Sequence, residues 1–343
     1  MAPKSTSTQS PPAVTVVIPT LSGGAELAQC LDSLARQVLT NFEVIVVDNS
    51  GRRLVEPRAG MRVIANDGNL GFGAAVNQAI RESKAPFIAA LNDDTTVDPR
   101  WLESLIAAMN SRSDIGMCAS QIRLASQDLL DSAGMLLGAD GTSKQRGHLE
   151  KPEAYPRQEE SLLPSGCAAL YRREMLDEIG LFDETFFLYC EDTDLGLRAR
   201  WAGWECLYVP DAKVWHRYSH SAGKASALKA YYVERNRLML AVKNLPFRML
   251  LAAPFYSLAR YFWHALYAIG GRGKAAEFRS GGSALGLPFL ALPFYVLRAG
   301  FALIPHLPRL WRERRRMKRR LNSTQFRRLV RAYSIGPRQV AAL

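Results

Sequence analysis

Pro86-Phe-Ile-Ala-Ala-Leu-Asn-Asp-Asp-Thr95 is the most informative stretch in this chain of 343 residues. The apolar run 87–91 predicts a buried strand, and Asp93 and Asp94 follow directly at its end. Open α/β sheets bind their ligands at the carboxyl ends of their strands, so this acid pair indicates a binding site there. Adjacent carboxylates repel each other unless a cation or a shared proton offsets their charge, and a divalent metal on phosphate oxygens is the simplest such cation. The stretch therefore predicts a phosphate-bearing substrate.

Short apolar strands alternate with helices around this stretch. Strands are predicted at 14–18, 42–47, 61–65 and 87–91, and helices at 25–38, 74–83, 99–109 and 225–243. This alternation implies right-handed βαβ units, so we expect an α/β fold with a mostly parallel central sheet flanked by helices. Residues 121–165 are polar and glycine-rich, which we interpret as an irregular insertion. Regular structure returns at 164–171, and a helix is expected to begin near Glu191.

The net charge of +12 is concentrated at the carboxyl end of the chain. From Arg309 onwards there are twelve Lys and Arg residues and one acid, Glu313, so this segment carries +11 of the total. Anionic partners are therefore expected at this end only. The basic cluster lacks interleaved aromatic platforms for bases and adjoins apolar segments, which favours an anionic membrane surface over nucleic acid.

Two apolar segments, 249–269 and 286–305, precede the basic end, and both contain Pro and Arg. A spanning helix needs about 20 predominantly apolar residues, which these segments barely reach. The basic run 309–320 matches retention on the cytoplasmic side and attraction to anionic lipid. We expect peripheral or re-entrant helices at the cytoplasmic face of the cell membrane, and a two-pass hairpin stays open.

Four segments are expected along the chain: a disordered tail at 1–12, an α/β domain at 13–245, apolar membrane-associated helices at 246–308 and a basic C-terminal tail at 309–343. The tail at 1–12 is rich in Ser, Thr and Pro. The five cysteines are widely spaced, and no pair has zinc-ribbon or redox spacing. Buried thiols in a reducing cytosol are therefore expected.

Polar residues also mark the ends of other predicted strands. Asp48 ends the second strand, where a carboxylate either accepts hydrogen bonds from a ribose or base edge or stabilises the turn that follows. The glycines of Asn69-Leu-Gly-Phe-Gly73 allow backbone N–H groups to approach a ligand. This stretch follows the third strand and lacks the third glycine of a dinucleotide fingerprint, so we reject that assignment.

Acids crowd a predicted helix start in Glu191-Asp-Thr-Asp194. Capping is one explanation, but three acids in four residues, preceded by Phe186-Phe-Leu-Tyr189, exceed what capping needs. A carboxylate beside aromatic walls can hold a raised pKa and serve as a general base. His216 follows a strand, where it is either structural or a metal ligand that completes the site of Asp94.

Together and in this order, these stretches resemble the metal-dependent inverting glycosyltransferases of family 2, which have the GT-A fold. The resemblance covers residues 13–245 and rests on Val16-Val-Ile-Pro-Thr20, Val46-Val-Asp-Asn-Ser50, Asn69-Leu-Gly-Phe-Gly73, Leu91-Asn-Asp-Asp-Thr95, Ser165-Gly-Cys-Ala-Ala-Leu170 and Glu191-Asp-Thr-Asp194. The chain is most similar to the rhamnosyltransferase-type branch of bacterial surface-polysaccharide enzymes, in which Asn-Leu-Gly-Phe-Gly is typical.

The resemblance implies roles for individual residues. Those that would bind the donor nucleotide are Pro19, Thr20, Asp48, Asn69, Gly71, Asn77 and Asp93. Asp94 and His216 would ligate Mg²⁺ or Mn²⁺, which bridges the donor diphosphate. Asp192 would be the catalytic base, with Glu191 beside it shaping the acceptor pocket. Asn92 stands where the family's Asp-x-Asp has its first acid, which leaves Asp94 as the main metal carboxylate.

The implied function is the inverting transfer of a sugar from a nucleotide-diphosphate donor to a hydroxyl of a glycan or lipid-linked acceptor, in cell-surface polysaccharide synthesis. Rhamnose is one candidate sugar. Two alternatives stay open: a metal-dependent nucleotidyltransferase, which would release pyrophosphate, and a non-enzymatic binder of anionic lipid or nucleic acid that uses the basic tail. No motif identifies the donor or the acceptor.

Overall fold

The structure, a computed structural model, describes residues 11–217, 227–270 and 292–342. The first elements are β1 (Val14–Thr20), α1 (Ala25–Leu34), β2 (Phe42–Asp48), β3 (Met61–Ala65), α2 (Phe72–Glu82), β4 (Phe87–Leu91), β5 (Thr95–Val97), α3 (Trp101–Asn110) and β6 (Ile115–Leu124). They are followed by β7 (Leu130–Ser132), β8 (Met135–Leu137), β9 (Ser143–Gln145), β10 (Glu159–Glu160), β11 (Ala168–Arg172), α4 (Arg173–Ile179), α5 (Glu191–Trp201) and β12 (Glu205–His216). The carboxyl-terminal helices are α6 (Ala227–Asn244), α7 (Phe247–Ile269), α8 (Leu292–Leu303), α9 (Leu307–Arg316), α10 (Ser323–Ala332) and α11 (Pro337–Ala342).

The first half of the domain forms the parallel part of a ten-stranded sheet. Strands β3, β2, β1 and β4 lie side by side in that order and run parallel. β4 is buried along its whole length, as expected for an apolar strand in a sheet covered on both faces. The carboxyl ends of β1, β2 and β4 therefore meet at one edge, where Thr20, Asp48 and the Asn92–Asp94 turn lie.

Beyond β4 the sheet becomes mixed. β11 runs antiparallel between β4 and β6, and β12 runs parallel to β6. The short strand β5 then pairs antiparallel with the end of β12, which sets His216 opposite Thr95. The α/β prediction is confirmed, and the expected parallel order holds from β1 to β4. The mixed second half brings the end of β12 back to the edge where β4 ends.

The prediction that residues 121–165 form an irregular insertion was wrong. β6 continues to Leu124, β7 pairs with β6, β8 pairs with β9, and β10 pairs with β12. Four of these five strands have only two or three residues each. Alternation of polar and apolar residues cannot be read over so short a run, which is why the sequence pattern did not reveal them.

The carboxyl-terminal helices pack against the α/β domain through an apolar cluster of their own. Phe326 of α10 is fully buried and stacks on Trp201 of α5, with ring centroids 3.9 Å apart and planes 5° apart. Arg309 forms an ion pair with Asp183 at 2.9 Å, and Arg314 donates to the Val242 carbonyl at 2.9 Å. Residues 309–342 are therefore folded onto the domain, and part of their positive charge has internal partners.

Helix α7 is long, with 23 residues, and contains Pro254. One face is buried at Ala253, Ser257, Arg260 and Ala268, and the opposite face carries exposed apolar side chains. Across residues 11–217, 227–270 and 292–342, no helix combines the length and the apolar character needed to cross a membrane. Residues 271–291 of the predicted membrane-associated segment lie outside the described residues, as do residues 1–10 of the predicted tail. The prediction of buried, unpaired thiols is confirmed for all five cysteines.

Candidate active site

The ends of β1 and β4 bring Thr20 and Asp93 into direct contact. The Thr20 hydroxyl donates to Asp93 Oδ2 at 2.5 Å, and Thr20 itself is buried. Burial raises the pKa of Asp93, and the neighbouring charge of Asp94 raises it further, although the Thr20 hydrogen bond opposes this. Pro19 lies one residue earlier in β1, opposite Val47 of β2. The predicted donor residues Pro19, Thr20 and Asp93 thus lie together at this edge.

The two residues predicted to bind metal face each other. Asp94 Oδ1 lies 3.3 Å from His216 Nε2, and both side chains are buried. This oxygen accepts no hydrogen bond from the described residues. Burial alone would lower the pKa of His216, but Cys167, Asp131 and Asp94 raise it well above its ordinary value.

Asp94 and His216 fit a divalent cation, because a buried carboxylate oxygen without a donor faces an imidazole nitrogen across a short gap. Among the residues that the structure describes, no set of three or more His, Cys, Asp or Glu side chains forms a metal site.

The side chain of Asp48 accepts hydrogen bonds from the loop that follows it. Its Oδ1 accepts from the Ser50 backbone N–H and its Oδ2 from that of Val55, both at 3.0 Å. Burial opposes ionisation, but these hydrogen bonds hold the pKa of Asp48 below its usual value. Of the two interpretations of this residue, turn stabilisation is what the contacts show, and nucleotide binding stays a prediction.

The glycine-rich stretch after β3 contacts another backbone segment. Gly71 has φ +88°, and a Cβ there would lie 2.3 Å from the Phe187 carbonyl oxygen. The Phe72 N–H donates to that same oxygen at 2.9 Å, and Asn69 Oδ1 accepts from the Gly71 N–H at 2.9 Å. Glycine is therefore required because two backbones meet.

Asn77 of α2 binds the same region of the chain. Its amide donates to the Phe182 carbonyl at 2.9 Å and accepts from the Phe182 N–H at 3.0 Å. The second amide hydrogen is used by Glu184 Oε1, at 2.9 Å. In this structure Gly71 and Asn77 hold the loop at 182–190 and Asn69 accepts from the Gly71 N–H, and direct contact of these three residues with the donor stays a prediction.

That loop has a strained backbone. Three non-glycine residues, Phe187, Tyr189 and Cys190, have φ between +63° and +71°, a conformation that surrounding contacts must enforce. The amide of Asn236 in α6 donates to the carbonyls of Phe186, Leu188 and Tyr189 at 2.7–2.8 Å. The loop is thus clamped between the glycine-rich stretch and α6, and it delivers Glu191 and Asp192 to the start of α5.

Glu191 and Asp192 differ in their hydrogen bonding. Asp192 Oδ2 accepts from the Gly166 N–H at 2.8 Å, and Oδ1 accepts from the Thr193 N–H at 2.6 Å. Glu191 Oε2 is buried without a donor among the described residues. Burial, followed by the charge of Asp192, raises the pKa of Glu191 to about 8. Burial also raises the pKa of Asp192, but its donors oppose the rise. Near neutral pH the raised pKa of Glu191 keeps that residue mainly protonated, and the donors to Asp192 favour its carboxylate form.

Two backbone contacts connect Asp192 to the acids of β4. Gly166, which donates to Asp192, precedes Cys167, whose carbonyl accepts from the Asn92 N–H at 2.9 Å. The end of β4 and the start of α5 therefore frame one site. The third acid of the cluster has another role, because Asp194 is fully buried and pairs with Arg198 at 2.8 Å.

The sequence patterns did not indicate two residues that support this site. Asp131, in the region interpreted as irregular, lies 2.8 Å from His216. Asn236, which holds the 182–190 loop, is fully buried inside α6. Asn is a poor residue for a helix interior, and that is the signal that could have identified Asn236.

The chain is similar to known proteins in sequence and in structure. The family model for glycosyl transferase family 2 matches residues 15–180. A relative in Mycobacterium tuberculosis (strain CDC 1551 / Oshkosh), N-acetylglucosaminyl-diphospho-decaprenol L-rhamnosyltransferase, is 30% identical over 252 residues. That alignment covers 63% of this chain and 80% of the relative.

Two solved structures are similar in fold. The mannosyltransferase PcManGT from Pyrobaculum calidifontis, in complex with GDP-Man and Mn²⁺, has a TM-score of 0.52 at 19% identity, covering 94% of this chain and 86% of that one. GalNAc-T7 with UDP, GalNAc and Mn²⁺ has a TM-score of 0.50 at 15% identity. The match to GalNAc-T7 covers 65% of this chain and 48% of that one. At these identities the likeness shows a shared fold.

Gly71→Ala should loosen the 182–190 loop, because the added Cβ collides with the Phe187 carbonyl. The matched control is Gly60→Ala, since Gly60 also has a positive φ but open space around its Cβ position. We expect Gly71→Ala to cost about 1–3 kcal/mol more than the control in urea unfolding. Hydrogen exchange should increase at 182–190 in Gly71→Ala alone. Equal destabilisation by Gly71→Ala and Gly60→Ala would show that the close approach of Gly71 to the Phe187 carbonyl does not affect stability.

Glu191→Gln should change the pH dependence of stability. The pKa of Glu191 rises on folding from 4.5 to about 8. As pH rises through this range the unfolded chain ionises first, so the native protein loses stability that it holds fully below pH 4.5. Gln cannot ionise. The free energy of unfolding of the variant, minus that of wild type, should therefore grow by at least about 1 kcal/mol across this range.

The control for this experiment is Glu153→Gln, which changes an exposed acid. The difference in the free energy of unfolding between Glu153→Gln and wild type should not change with pH. If the difference for Glu191→Gln also did not change with pH, this would contradict the buried, neutral state of Glu191.

Proposed function

The chain belongs to glycosyl transferase family 2, and on this premise we propose that it transfers a sugar from a nucleotide-diphosphate donor to a hydroxyl of a lipid-linked glycan, with inversion at the anomeric carbon. The observation that carries the proposal is the connection of Asp192, through Gly166 and Cys167, to the acid-bearing end of β4. This connection supports a base candidate and a diphosphate site at one sheet edge.

The relative from M. tuberculosis supports a choice of substrates to test first. Its name specifies transfer of L-rhamnose to N-acetylglucosaminyl-diphospho-decaprenol. We therefore take a nucleotide-diphosphate rhamnose as the first donor and a polyprenyl-diphosphate-linked sugar as the first acceptor class.

Donor binding is assigned to the edge formed by β1, β4 and the end of β12. Thr20 and Asp93 bind the nucleotide, and Asp94 with His216 holds Mg²⁺ or Mn²⁺. The Mn²⁺ in the PcManGT and GalNAc-T7 structures supports this cofactor. When bound, the cation stabilises negative charge on the leaving diphosphate.

The chemical step is assigned to Asp192. Its carboxylate takes the proton of the acceptor hydroxyl, and the oxygen attacks the anomeric carbon as the bond to the diphosphate oxygen breaks. Inversion follows from this single displacement. Neutral Glu191 keeps the negative charge of the pair on Asp192, and it forms part of the acceptor pocket.

The alternative of nucleotidyl transfer is disfavoured by membership in this family. That reaction would break a phosphorus–oxygen bond and release pyrophosphate, whereas sugar transfer releases a nucleoside diphosphate. Identification of the released product separates the two reactions.

We also propose that α7 and α8 contact the cytoplasmic face of the membrane. The exposed face of α7 carries a stripe of apolar side chains at helical spacing: Phe247, Leu251, Phe255, Leu258, Phe262, Leu266 and Ile269. A second exposed set follows in and after α8: Phe294, Leu297, Phe301, Ile304 and Trp311. Amphipathic helices of this kind lie in the membrane interface.

Charge supports an anionic lipid as the partner of this face. Arg312, Arg315 and Arg316 are exposed on α9, next to Trp311. Each basic residue near an anionic lipid surface contributes about 1 kcal/mol to binding. An acceptor with a polyprenyl chain would be presented at the same surface.

Asp192→Asn should lower the rate of sugar transfer by about 100-fold or more, because general base catalysis contributes about 10²–10⁴-fold. The dissociation constant of the donor, measured by calorimetry with Mn²⁺, should stay within about twofold because Asp192 acts on the acceptor. Asp177→Asn, which changes an exposed acid of α4, is the control and should keep wild-type rates. Near-normal turnover in Asp192→Asn would show that the base is another residue.

Phe255→Ser combined with Phe262→Ser should weaken binding to vesicles of phosphatidylglycerol and phosphatidylcholine by at least about tenfold in flotation. These side chains are 75% and 62% exposed, so the fold should tolerate the change. The control is Val38→Ser, an apolar residue that is 58% exposed near the end of α1. Unchanged flotation would refute membrane contact, and a change in oligomeric state instead would assign the face to a second copy of the chain.

A further inference from the structure

Asp131 of β7 is a buried carboxylate that lies between two histidines. It is 2% exposed, and its Oδ2 is 2.8 Å from His216 Nδ1. Its Oδ1 is 3.3 Å from His148 Nδ1, which also lies 3.1 Å from the Asp131 backbone carbonyl. The carboxylate of Asp131 thus faces a ring nitrogen of each histidine, and a carboxylate can only accept hydrogen bonds.

An irregularity in the pairing of β6 with β7 sets the direction of the Asp131 side chain. β7 pairs with β6 through Ile122↔Ser132 and Arg123↔Leu130, which leaves Asp131 as the extra residue of a β-bulge. Bulges occur next to active sites, where they redirect a side chain. β12 pairs with the other side of β6, with His216 opposite Leu124. The bulge thus directs Asp131 towards the end of β12.

The contact with Asp131 decides how His216 presents its ring. Because a carboxylate only accepts, Nδ1 of His216 carries the hydrogen that faces Asp131. The opposite ring nitrogen, Nε2, faces Asp94 Oδ1 at 3.3 Å. The neutral ring, which is the form that binds a cation, then has its lone pair on Nε2, on the side of Asp94. Metal-binding histidines commonly have such a carboxylate on the far nitrogen.

We propose that Asp131 is a positioning residue that fixes the tautomer and orientation of His216 so that Nε2 and Asp94 bind the divalent cation. This inference rests on the proposed role of His216 as a metal ligand. The other groups that face the imidazole are Cys167 and Asp94. Cys167 is a buried thiol, so Asp131 is the carboxylate at the Nδ1 side.

Substitution of Asp131 by asparagine distinguishes a role in positioning His216 from a role in packing. Asp131→Asn keeps the size of the side chain but replaces one accepting oxygen with a donating NH2 group. If the amide donates to His216 Nδ1, the ring must carry its hydrogen on Nε2, which blocks the cation. We expect the affinity of the full-length protein for Mn²⁺, titrated by electron paramagnetic resonance, to fall about 10–100-fold.

The matched control is Asp128→Asn, which removes an exposed acid near β7 that pairs with Lys151 at 3.1 Å. It should leave Mn²⁺ affinity unchanged. Thermal unfolding without metal shows whether each variant is folded. A folded Asp131→Asn protein with wild-type Mn²⁺ affinity would overturn the proposal.

A kinetic measurement gives a second readout. The Mn²⁺ concentration for half-maximal sugar transfer should rise in Asp131→Asn, while kcat at saturating Mn²⁺ returns towards the wild-type value. A merely destabilised protein would lose activity at every Mn²⁺ concentration. His216→Ala tests separately whether His216 binds the metal. If this variant keeps wild-type Mn²⁺ affinity, the assignment of His216 as a metal ligand fails.

A measurement on the wild-type protein covers the case in which Asp131→Asn does not fold. Nitrogen-15 NMR of the histidine rings, recorded with Mg²⁺ and UDP, reports which ring nitrogen carries the hydrogen. The proposal requires hydrogen on Nδ1 of His216. Hydrogen on Nε2 would overturn it.

Discussion

The contact between the backbone at Gly71 and the carbonyl of Phe187 is the constraint on which the rest of the site depends. It brings the start of α2 against the 182–190 loop at a distance that no side chain at position 71 would allow. The loop in turn holds three non-glycine residues in the left-handed region. Asn77 and Asn236 supply side-chain hydrogen bonds that compensate this strain. Together they fix where α5 begins, and therefore where Glu191 and Asp192 lie.

Each acid at the sheet edge is stabilised by a different means, and this separates their roles. Asp93 accepts from Thr20, and Asp192 accepts from backbone N–H groups. Asp194 pairs with Arg198. Glu191 lacks a donor at Oε2 and stays protonated near neutral pH, while Asp94 keeps an oxygen without a donor beside His216. Glu191 Oε2 and Asp94 Oδ1 are thus the oxygens of this group of acids that have no hydrogen-bond donor among the described residues.

The carboxyl-terminal helices are connected to the candidate site by hydrogen bonds and ion pairs. α6 holds the 182–190 loop through Asn236 and also carries Glu234, which pairs with Arg260 of α7 at 3.0 Å. Arg260 reaches Asp140, in the segment between β8 and β9, at 3.0 Å. The ion pairs are buried, so α7 is anchored by its inner face while its outer face stays apolar and exposed. The exposed apolar face of α7 is thereby connected to the loop that precedes Glu191 and Asp192.

Much of the fold and the main chemistry were readable from the sequence. The apolar run before Asp93 and Asp94 and the acids at Glu191 and Asp192 determine by themselves a buried strand, a helix start and the residue types a diphosphate site needs, because these signals depend on near neighbours in the chain. Tertiary structure alone decided that Asn69, Gly71 and Asn77 support a loop and that the residues from 309 onwards fold onto the domain. It also decided that Asp131 reaches His216, 85 residues away in the chain. These are contacts between distant segments, set by strand order, a bulge and backbone packing, and no local pattern encodes them.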